Sequence, residues 1–249
     1  MERDTYARMR ALEQTHWWFA ARRQILAAEI TRLSLPSAAR ILEVGCGPGG
    51  NLAMLSGFGA VQALEPDPES RAHAAERSGL SIHAGLLPDG LPDLGPPFDL
   101  VAAFDVVEHV EDDAGAVAAL AGLVKPGGFL VTTVPACPWM WSEHDVQHHH
   151  KRRYDLPAYR QLFEAAGLKI RRATHFNTVL FPPIAAARLA KTLTGQRGGS
   201  DDSEPPEALN GLLRRLFAFE AHLLKHVDLP FGVSILLIAE RTEGSTPAR

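Results

Sequence analysis

The sequence feature that most constrains the fold is the stretch Ile41–Asn51, which reads ILEVGCGPGGN. Its short apolar run is typical of a buried strand, and the glycines that follow are typical of a tight turn. Apolar residues recurring after Asn51 predict the start of a helix. Because glycine has no Cβ and tolerates a positive φ, this turn lets the backbone approach a ligand closely. The next helix presents free N–H groups to the same place.

An acidic residue follows the turn at an informative distance. A second strand-like run, Ala60–Leu64, ends in Glu65, about 20 residues after Gly45. A carboxylate at this spacing can accept hydrogen bonds from both hydroxyls of a ribose. The glycines alone also fit a dinucleotide site, but Glu43, directly before the turn, would repel a pyrophosphate. Glu43 suits a cationic amino-acid ligand such as S-adenosyl-L-methionine (SAM).

With Glu43 in place, the stretch resembles motif I of the class I SAM-dependent methyltransferases, in particular type 11 and type 23 methyltransferase domains. Further on, FDLVAAFDVVEHV (98–110) resembles motif IV of that family, and KPGGFLVTTVP (125–135) resembles the turn and strand that follow it. The resemblance covers residues 41–175 and the last strand. It implies a SAM-dependent methyltransferase (EC 2.1.1) with S-adenosyl-L-homocysteine as product. The acceptor would be a small molecule methylated on oxygen or nitrogen, a natural product or a lipid- or glycan-linked metabolite.

The order of predicted elements indicates an α/β fold, because strands that alternate with helices form a parallel sheet. The resemblance implies a Rossmann-like sheet of seven strands in the order 3-2-1-4-5-7-6, with the last strand antiparallel. Residues 1–36 are predicted to form an N-terminal helical lid. Residues 37–177 and 229–242 would form the SAM-binding core. Residues 178–228 would form a helical cap insertion with a flexible loop over 195–206.

The predicted cofactor site combines the glycine turn with residues after later strands. Glu43 is expected at the amino-acid end of SAM, Glu65 at its ribose, and Asp105 at its methyl side. In many relatives an acidic residue stands where this chain has Leu86, so the usual contact with the adenine is not expected. The full predicted set is Glu43, Gly45, Cys46, Gly47, Gly49, Glu65, Pro66, Gly85, Leu86, Asp105, Val106, Trp18 and Arg22. Trp18 and Arg22 belong to an HWWF…RR run that resembles the family's N-terminal segment. That run either covers the cofactor or packs on the core.

The segment 135–154, called here the histidine segment, allows three interpretations. His144, Asp145, His148 and His150 could bind a metal, but their spacing is not diagnostic. The segment could also be a solvated basic loop. We favour a substrate-facing loop with a base, since histidine titrates near neutrality. His150 is the first candidate base, His144 the second, and no metal is expected. Asp145 completes the catalytic set, and the substrate-binding set is Trp139, Trp141, His109, Arg153 and Tyr154.

Composition excludes several other classes. A net charge of −4 gives no general attraction to nucleic acid, and two cysteines do not make a disulfide framework. There is no apolar run long enough to span a bilayer and no signal-peptide pattern, so a cytoplasmic monomer or homodimer is expected. The apolar faces of the late insertion suit a hydrophobic acceptor, or they simply pack on the core. The alternatives are a nicotinamide-dependent oxidoreductase and a SAM-binding module without catalysis.

Overall fold

The computed structural model describes residues 10–194 and 205–243. Within that part, seven strands form one sheet in the order β3-β2-β1-β4-β5-β7-β6. The strands are β1 (Ala39–Val44), β2 (Gly59–Leu64), β3 (Ile82–His83), β4 (Phe98–Phe104), β5 (Val124–Pro135), β6 (Lys169–Phe176) and β7 (Ser234–Glu240). The order confirms the predicted fold class.

The pairing of the strands brings the carboxyl ends of four parallel strands to one edge of the sheet. β1 pairs in parallel with β2 and β4, and β4 pairs in parallel with β5. β7 is antiparallel to both β5 and β6, as predicted for the last strand. Parallel strands end at the same edge, so the segments after β1, β2, β4 and β5 meet there. In open α/β sheets, ligands bind at this carboxyl edge.

Helices cover both faces of the sheet. Consecutive residues of β1 point to opposite faces of the sheet. Ile41 and Leu42, for example, belong to different apolar clusters and are both fully buried. This two-sided burial explains why the central strands read as continuous apolar runs. The helices are α1 (Trp17–Ile30), α2 (Leu52–Ser56), α3 (Pro68–Ser78), α4 (Asp113–Leu123), α5 (Glu143–Gln147), α6 (Leu156–Ala165), α7 (Phe181–Thr194), α8 (Glu207–Ala218) and α9 (Glu220–Leu223). Short 3₁₀ turns occupy Val107–His109 and Pro138–Met140.

The N-terminal segment and the late insertion share one apolar cluster. Ile25 and Leu26 of α1 are fully buried in the same cluster as Phe217 of α8. The backbone N–H of Trp17 donates to Asn210 of α8 at 2.8 Å, and the rings of Trp17 and Phe217 lie 5.9 Å apart. We infer that the lid and the cap form a common layer over one face of the sheet. The predicted flexible loop falls mainly on 195–204, which lie outside the described residues.

The histidine segment was predicted without regular structure, and this was wrong. It contains a 3₁₀ turn and helix α5, which begins with a reciprocal cap between Ser142 and Asp145. The pattern Ser-x-x-Asp at 142–145 resembles a capping box and could have indicated this helix. In the described part of the chain, no helix is both long and apolar enough to cross a membrane.

Candidate functional site

A cavity of about 800 Å³ opens at the carboxyl edge of the sheet. Most of the predicted site residues line it, including two, His109 and Arg153, that were predicted to bind the substrate. They are Trp18, Arg22, Gly45, Cys46, Gly47, Glu65, Pro66, Gly85, Leu86, Asp105, Val106, His109, His144, His150 and Arg153. The cavity therefore brings together segments that follow β1, β2, β3, β4 and β5.

The glycine turn after β1 is shaped for close approach of a ligand. Gly45 has a φ of +70°, and a Cβ placed there would lie 2.7 Å from Cγ2 of Val106. Such a contact is too close for any side chain, and the φ itself disfavours one. The turn must therefore keep its backbone bare at the wall of the cavity.

Glu65 holds the glycine turn from the end of β2. Its Oε2 accepts the N–H of Gly47 at 2.8 Å, and its Oε1 accepts the N–H of Asp67 at 2.9 Å. Burial raises the pKa of this carboxyl, against the lowering effect of both N–H donors. Each carboxylate oxygen has a second lone pair. Glu65 can thus hold the turn and accept two ligand hydroxyls at once.

Glu43 lies beneath the turn rather than at the cavity wall. It is fully buried, and its Oε1 accepts from the side-chain amide of Asn51 at 2.8 Å. Its Oε2 has no hydrogen-bond partner among the described residues. Desolvation raises its pKa to about 8. Among the described residues, Glu43 does not line the cavity. The predicted direct contact between Glu43 and a ligand therefore has no support from its position.

Arg22 joins helix α1 to the ends of β4 and β5. Its Nη2 lies 2.7 Å from Oδ2 of Asp105 and donates to Oγ1 of Thr133 at 3.0 Å. The guanidinium also lies over the ring of Trp18, 4.8 Å from its centroid. Asp105 has a φ of +57°, an unfavourable conformation for a residue with a side chain. Such conformations persist at functional sites, where the surroundings enforce them.

Arg22 fits the cofactor role in part. It was expected to reach the carboxylate of SAM, but its Nη2 is occupied by Asp105 and Thr133. Its buried Nε has no hydrogen-bond partner within the described chain. That N–H is itself buried, so Arg22 lines the cavity with other atoms of its side chain.

His150 belongs to a buried ionic cluster centred on Asp145. Oδ1 of Asp145 lies 2.9 Å from Nδ1 of His150 and accepts from Nε of Arg153 at 2.8 Å. Burial alone would raise the pKa of Asp145, but these two partners hold it below its usual value. An ionised Asp145 keeps the proton of His150 on Nδ1, so its Nε2 is the nitrogen with a free lone pair.

The prediction missed Glu108, which also lines the cavity. It is fully buried in the 3₁₀ turn after β4, and neither carboxylate oxygen has a hydrogen-bond partner in the described structure. Burial and the nearby Asp105 raise its pKa well above the usual value. Its neighbour His109 has a pKa lowered to about 3 by burial and by the adjacent His150 and His148. The acidic residue in the EH pair of motif IV was the available signal.

Several predicted site residues lie elsewhere. Trp139 is 60% exposed and packs against Phe181, while Trp141 is 42% exposed. Tyr154 is buried in the core, where its hydroxyl donates to Asp113. Among the described residues, these three do not line the cavity, and neither do Gly49 and Asp145. The sequence could not show this, because the direction of each side chain depends on how its segment folds.

Comparison with known proteins identifies the family. Residues 18–173, more than half of the chain, match the model of a family described as a methyltransferase domain. The chain belongs to this methyltransferase family. This confirms the resemblance to class I SAM-dependent methyltransferases and argues against a nicotinamide-dependent oxidoreductase. SAM is the methyl donor of this class of enzyme.

The curated relatives match over part of their length. The chain is 41% identical over 111 residues to the ubiquinone biosynthesis O-methyltransferase of Xylella fastidiosa (strain M23). That alignment covers 41% of this chain and 44% of the relative. The chain thus spans less than half of the length of this relative, so its substrate does not transfer directly.

Solved structures agree on the fold. A chain from the Haloferax volcanii complex between the Trm112 methyltransferase activator and a methyltransferase has a TM-score of 0.64 and 20% identity. The match covers 98% of this chain and 96% of that one. Phosphoethanolamine N-methyltransferase 2 of Haemonchus contortus, solved with SAM, has a TM-score of 0.58 and 18% identity, covering 88% and 52%.

Proposed function

We propose that this protein transfers the methyl group of SAM to a hydroxyl oxygen of a small molecule bound in the cavity. The observation that supports it most is that one cavity is lined both by the glycine turn with Glu65 and by His150. A cofactor site and groups able to handle a proton are thus adjacent. The relatives named as O-methyltransferases support oxygen as the acceptor atom.

The residues present fit SAM. Gly45 keeps the wall bare, Glu65 has lone pairs for the ribose hydroxyls, and Arg22 brings a cationic guanidinium to the cavity lining for the carboxylate. When bound, SAM supplies an electrophilic methyl group, which an acceptor oxygen takes by displacement at carbon. The protein contributes chiefly by holding both reactants in one enclosed space, since such positioning can supply much of the rate enhancement.

The walls of the cavity also indicate the kind of acceptor. Trp18, Phe104 and Ile184 provide apolar surface, and several histidines, His150 among them, provide ionisable groups in the same cavity. A small molecule with an apolar body and one ionisable hydroxyl would match both parts. This extends the prediction of a hydrophobic acceptor, and the presence of Ile184 of α7 in the lining supports a role for the insertion on the acceptor side.

The experiment is a methyl-transfer screen with isotopically labelled SAM and a panel of phenols, aliphatic alcohols and amines. We expect label in at least one phenol or alcohol and none in the amines. SAM and S-adenosylhomocysteine should also raise the melting temperature, because a ligand of the native state stabilises it. Labelling of amines alone, or a larger thermal shift with NAD or NADP than with SAM, would contradict the proposal.

A further inference from the structure

Asn177 is a buried polar residue of the cavity lining to which the proposed function gives no role. It directly follows β6, and only 1% of its surface is exposed. Neither its Oδ1 nor its Nδ2 has a hydrogen-bond partner among the described residues. A buried amide without partners is costly, and proteins almost always give such a group a partner in the chain, in water or in a ligand. Asn177 is therefore a candidate for a ligand contact.

The backbone conformation of Asn177 does not by itself explain the amide. Its φ is +58°, in a region that favours glycine, asparagine and aspartate over other residue types. Glycine would meet this requirement without burying an amide that has no partner. The side chain thus adds a cost that the turn does not need, and such costs are typical of functional sites.

Glu220 of α9 holds the main chain at this place. It is fully buried, and its Oε2 accepts the N–H of Asn177 at 2.6 Å while its Oε1 accepts the N–H of Val179 at 2.7 Å. On the other side, the carbonyl of Asn177 accepts the N–H of Val233 at 3.4 Å. The amide atoms are buried, so they reach a ligand by rotation of the side chain. Because the amide makes no hydrogen bond within the described chain, this rotation breaks none.

Asn177 is distant from the predicted cofactor residues along the sheet. In the strand order, β6 is four strands away from β1, which at about 4.8 Å per strand is roughly 19 Å. Between them, Ser234 begins β7, pairs with Pro135 at the end of β5, and lines the cavity, as does Ile184 of α7. The part of the cavity between Asp105 and Asn177 can therefore hold an acceptor.

We propose that Asn177 selects the acceptor by hydrogen bonding to an uncharged polar group on it, such as a hydroxyl or a carboxamide. This rests on the proposed function and narrows it, because the acceptor then carries a second polar group, across its apolar body from the methylated hydroxyl. An amide side chain offers both a donor and an acceptor, and such a group can use the two together. An acceptor without that group leaves the amide unpaired, which is why buried polar groups discriminate strongly between substrates.

The test compares two phenols that differ only at the far end of a side chain. One is a para-alkylphenol whose chain ends in a primary amide, and the other has an alkyl chain of the same length. Calorimetry measures their binding to the protein saturated with S-adenosylhomocysteine, and labelled SAM measures methyl transfer. We expect the wild type to prefer the amide by at least about 10-fold. Asn177→Gly, which suits the positive φ, should reduce the preference to less than about 3-fold.

Thr178→Ala is the matched control. Thr178 is the next residue of the same turn, its hydroxyl donates to the backbone of Phe231, and within the described chain it does not line the cavity. This variant should keep the preference of the wild type. If Asn177→Gly does not fold, a crystal structure of the wild type with the amide phenol and S-adenosylhomocysteine decides. The inference requires the amide of the phenol to lie within hydrogen-bond distance of the Asn177 side chain, and any other position overturns it.

SAM affinity measured on the same samples separates this inference from the proposed function. A lost preference in Asn177→Gly with SAM affinity retained supports the inference, since a merely structural role would affect both phenols alike. Equal methyl transfer to both phenols by the wild type, or an unchanged preference in Asn177→Gly, overturns the inference and leaves the proposed function intact. Failure of both phenols to bind to protein that binds SAM also overturns it, and the labelling screen then judges the proposed function by itself.

Discussion

Two glutamates at the ends of neighbouring strands serve different purposes. Glu65 at the end of β2 lines the cavity, while Glu43 in β1 lies beneath the glycine turn. The sequence predicted both as ligand contacts, because spacing shows which residues approach the edge but not how deeply each is buried. Only the structure shows that Asn51 occupies one oxygen of Glu43.

Glu65→Ala should weaken SAM binding by about 1.5–3 kcal/mol, the usual value of hydrogen bonds to a charged group. The variant also releases the N–H of Gly47, so the turn loses its support. Isothermal calorimetry with SAM measures the effect. Glu76→Ala, an exposed acid on the following helix, is the control. Equal SAM affinity in a folded Glu65→Ala variant would refute the ribose assignment.

Glu43 should make stability depend on pH. Its pKa of about 8 in the ligand-free protein lies above the value of 4.5 usual for a glutamate, so the folded state holds a proton that the unfolded chain releases. The stabilisation is complete below pH 4.5 and is lost as the pH rises through 8. The free energy of unfolding of the wild type should fall by about 3–5 kcal/mol over this pH range, and we expect Glu43→Gln to remove that fall. Urea unfolding from pH 5 to 9 measures it, and identical pH profiles for wild type and variant would contradict it.

At the scale of elements, an ion pair connects helix α1 to the carboxyl edge of the sheet. Arg22 reaches Asp105 at 2.7 Å, at the point where the glycine turn and the histidine segment meet the cavity. The HWWF…RR run was predicted either to cover the cofactor or to pack on the core, and the structure adds that Arg22 pairs with Asp105, the residue after β4. Neither partner could be assigned from the sequence, because they lie in elements far apart in the chain.

Arg22→Ala should destabilise the protein by about 2–4 kcal/mol, since it leaves Asp105 without its cation in a strained conformation. Asp105 is partly exposed, which keeps the loss below that of a fully buried pair. Chemical denaturation measures the change. Arg160→Ala, which breaks an exposed pair with Glu164, should change stability by less than about 0.5 kcal/mol. A loss of stability for Arg22→Ala no larger than for Arg160→Ala would show that the Arg22–Asp105 pair contributes little to stability.

Prediction from sequence worked best where the pattern is regular. The spacing of glycine and apolar residues predicted the glycine turn and the alternation of strands and helices. The resemblance added the order of the strands, which the structure confirms. The histidine segment was less predictable, because the direction of each side chain depends on α5 and on the Asp145 cluster. Within the described chain, Trp139 and Trp141 do not line the cavity, whereas His150 and Arg153 do, and their roles stay predictions.

At the scale of the whole molecule, two layers of helices pack on opposite faces of the sheet. The layer formed by α1, α8 and α9 packs on one face of the sheet with Phe217 and Leu224 in its core. The layer of α4 and α6 packs on the other face, where Tyr159 and Phe163 are fully buried. The cavity lies at the carboxyl edge of the sheet, and residues of both clusters, such as Val44 and Phe104, line it.

The most direct test of the account is a crystal structure of the protein with S-adenosylhomocysteine. The account predicts that the ribose hydroxyls lie within hydrogen-bond distance of the Glu65 carboxylate, with the sulfur on the side of Asp105. The backbone of Gly45 and Gly47 should contact the ligand. A nucleoside bound outside this cavity, or a ribose that does not contact Glu65, would contradict it.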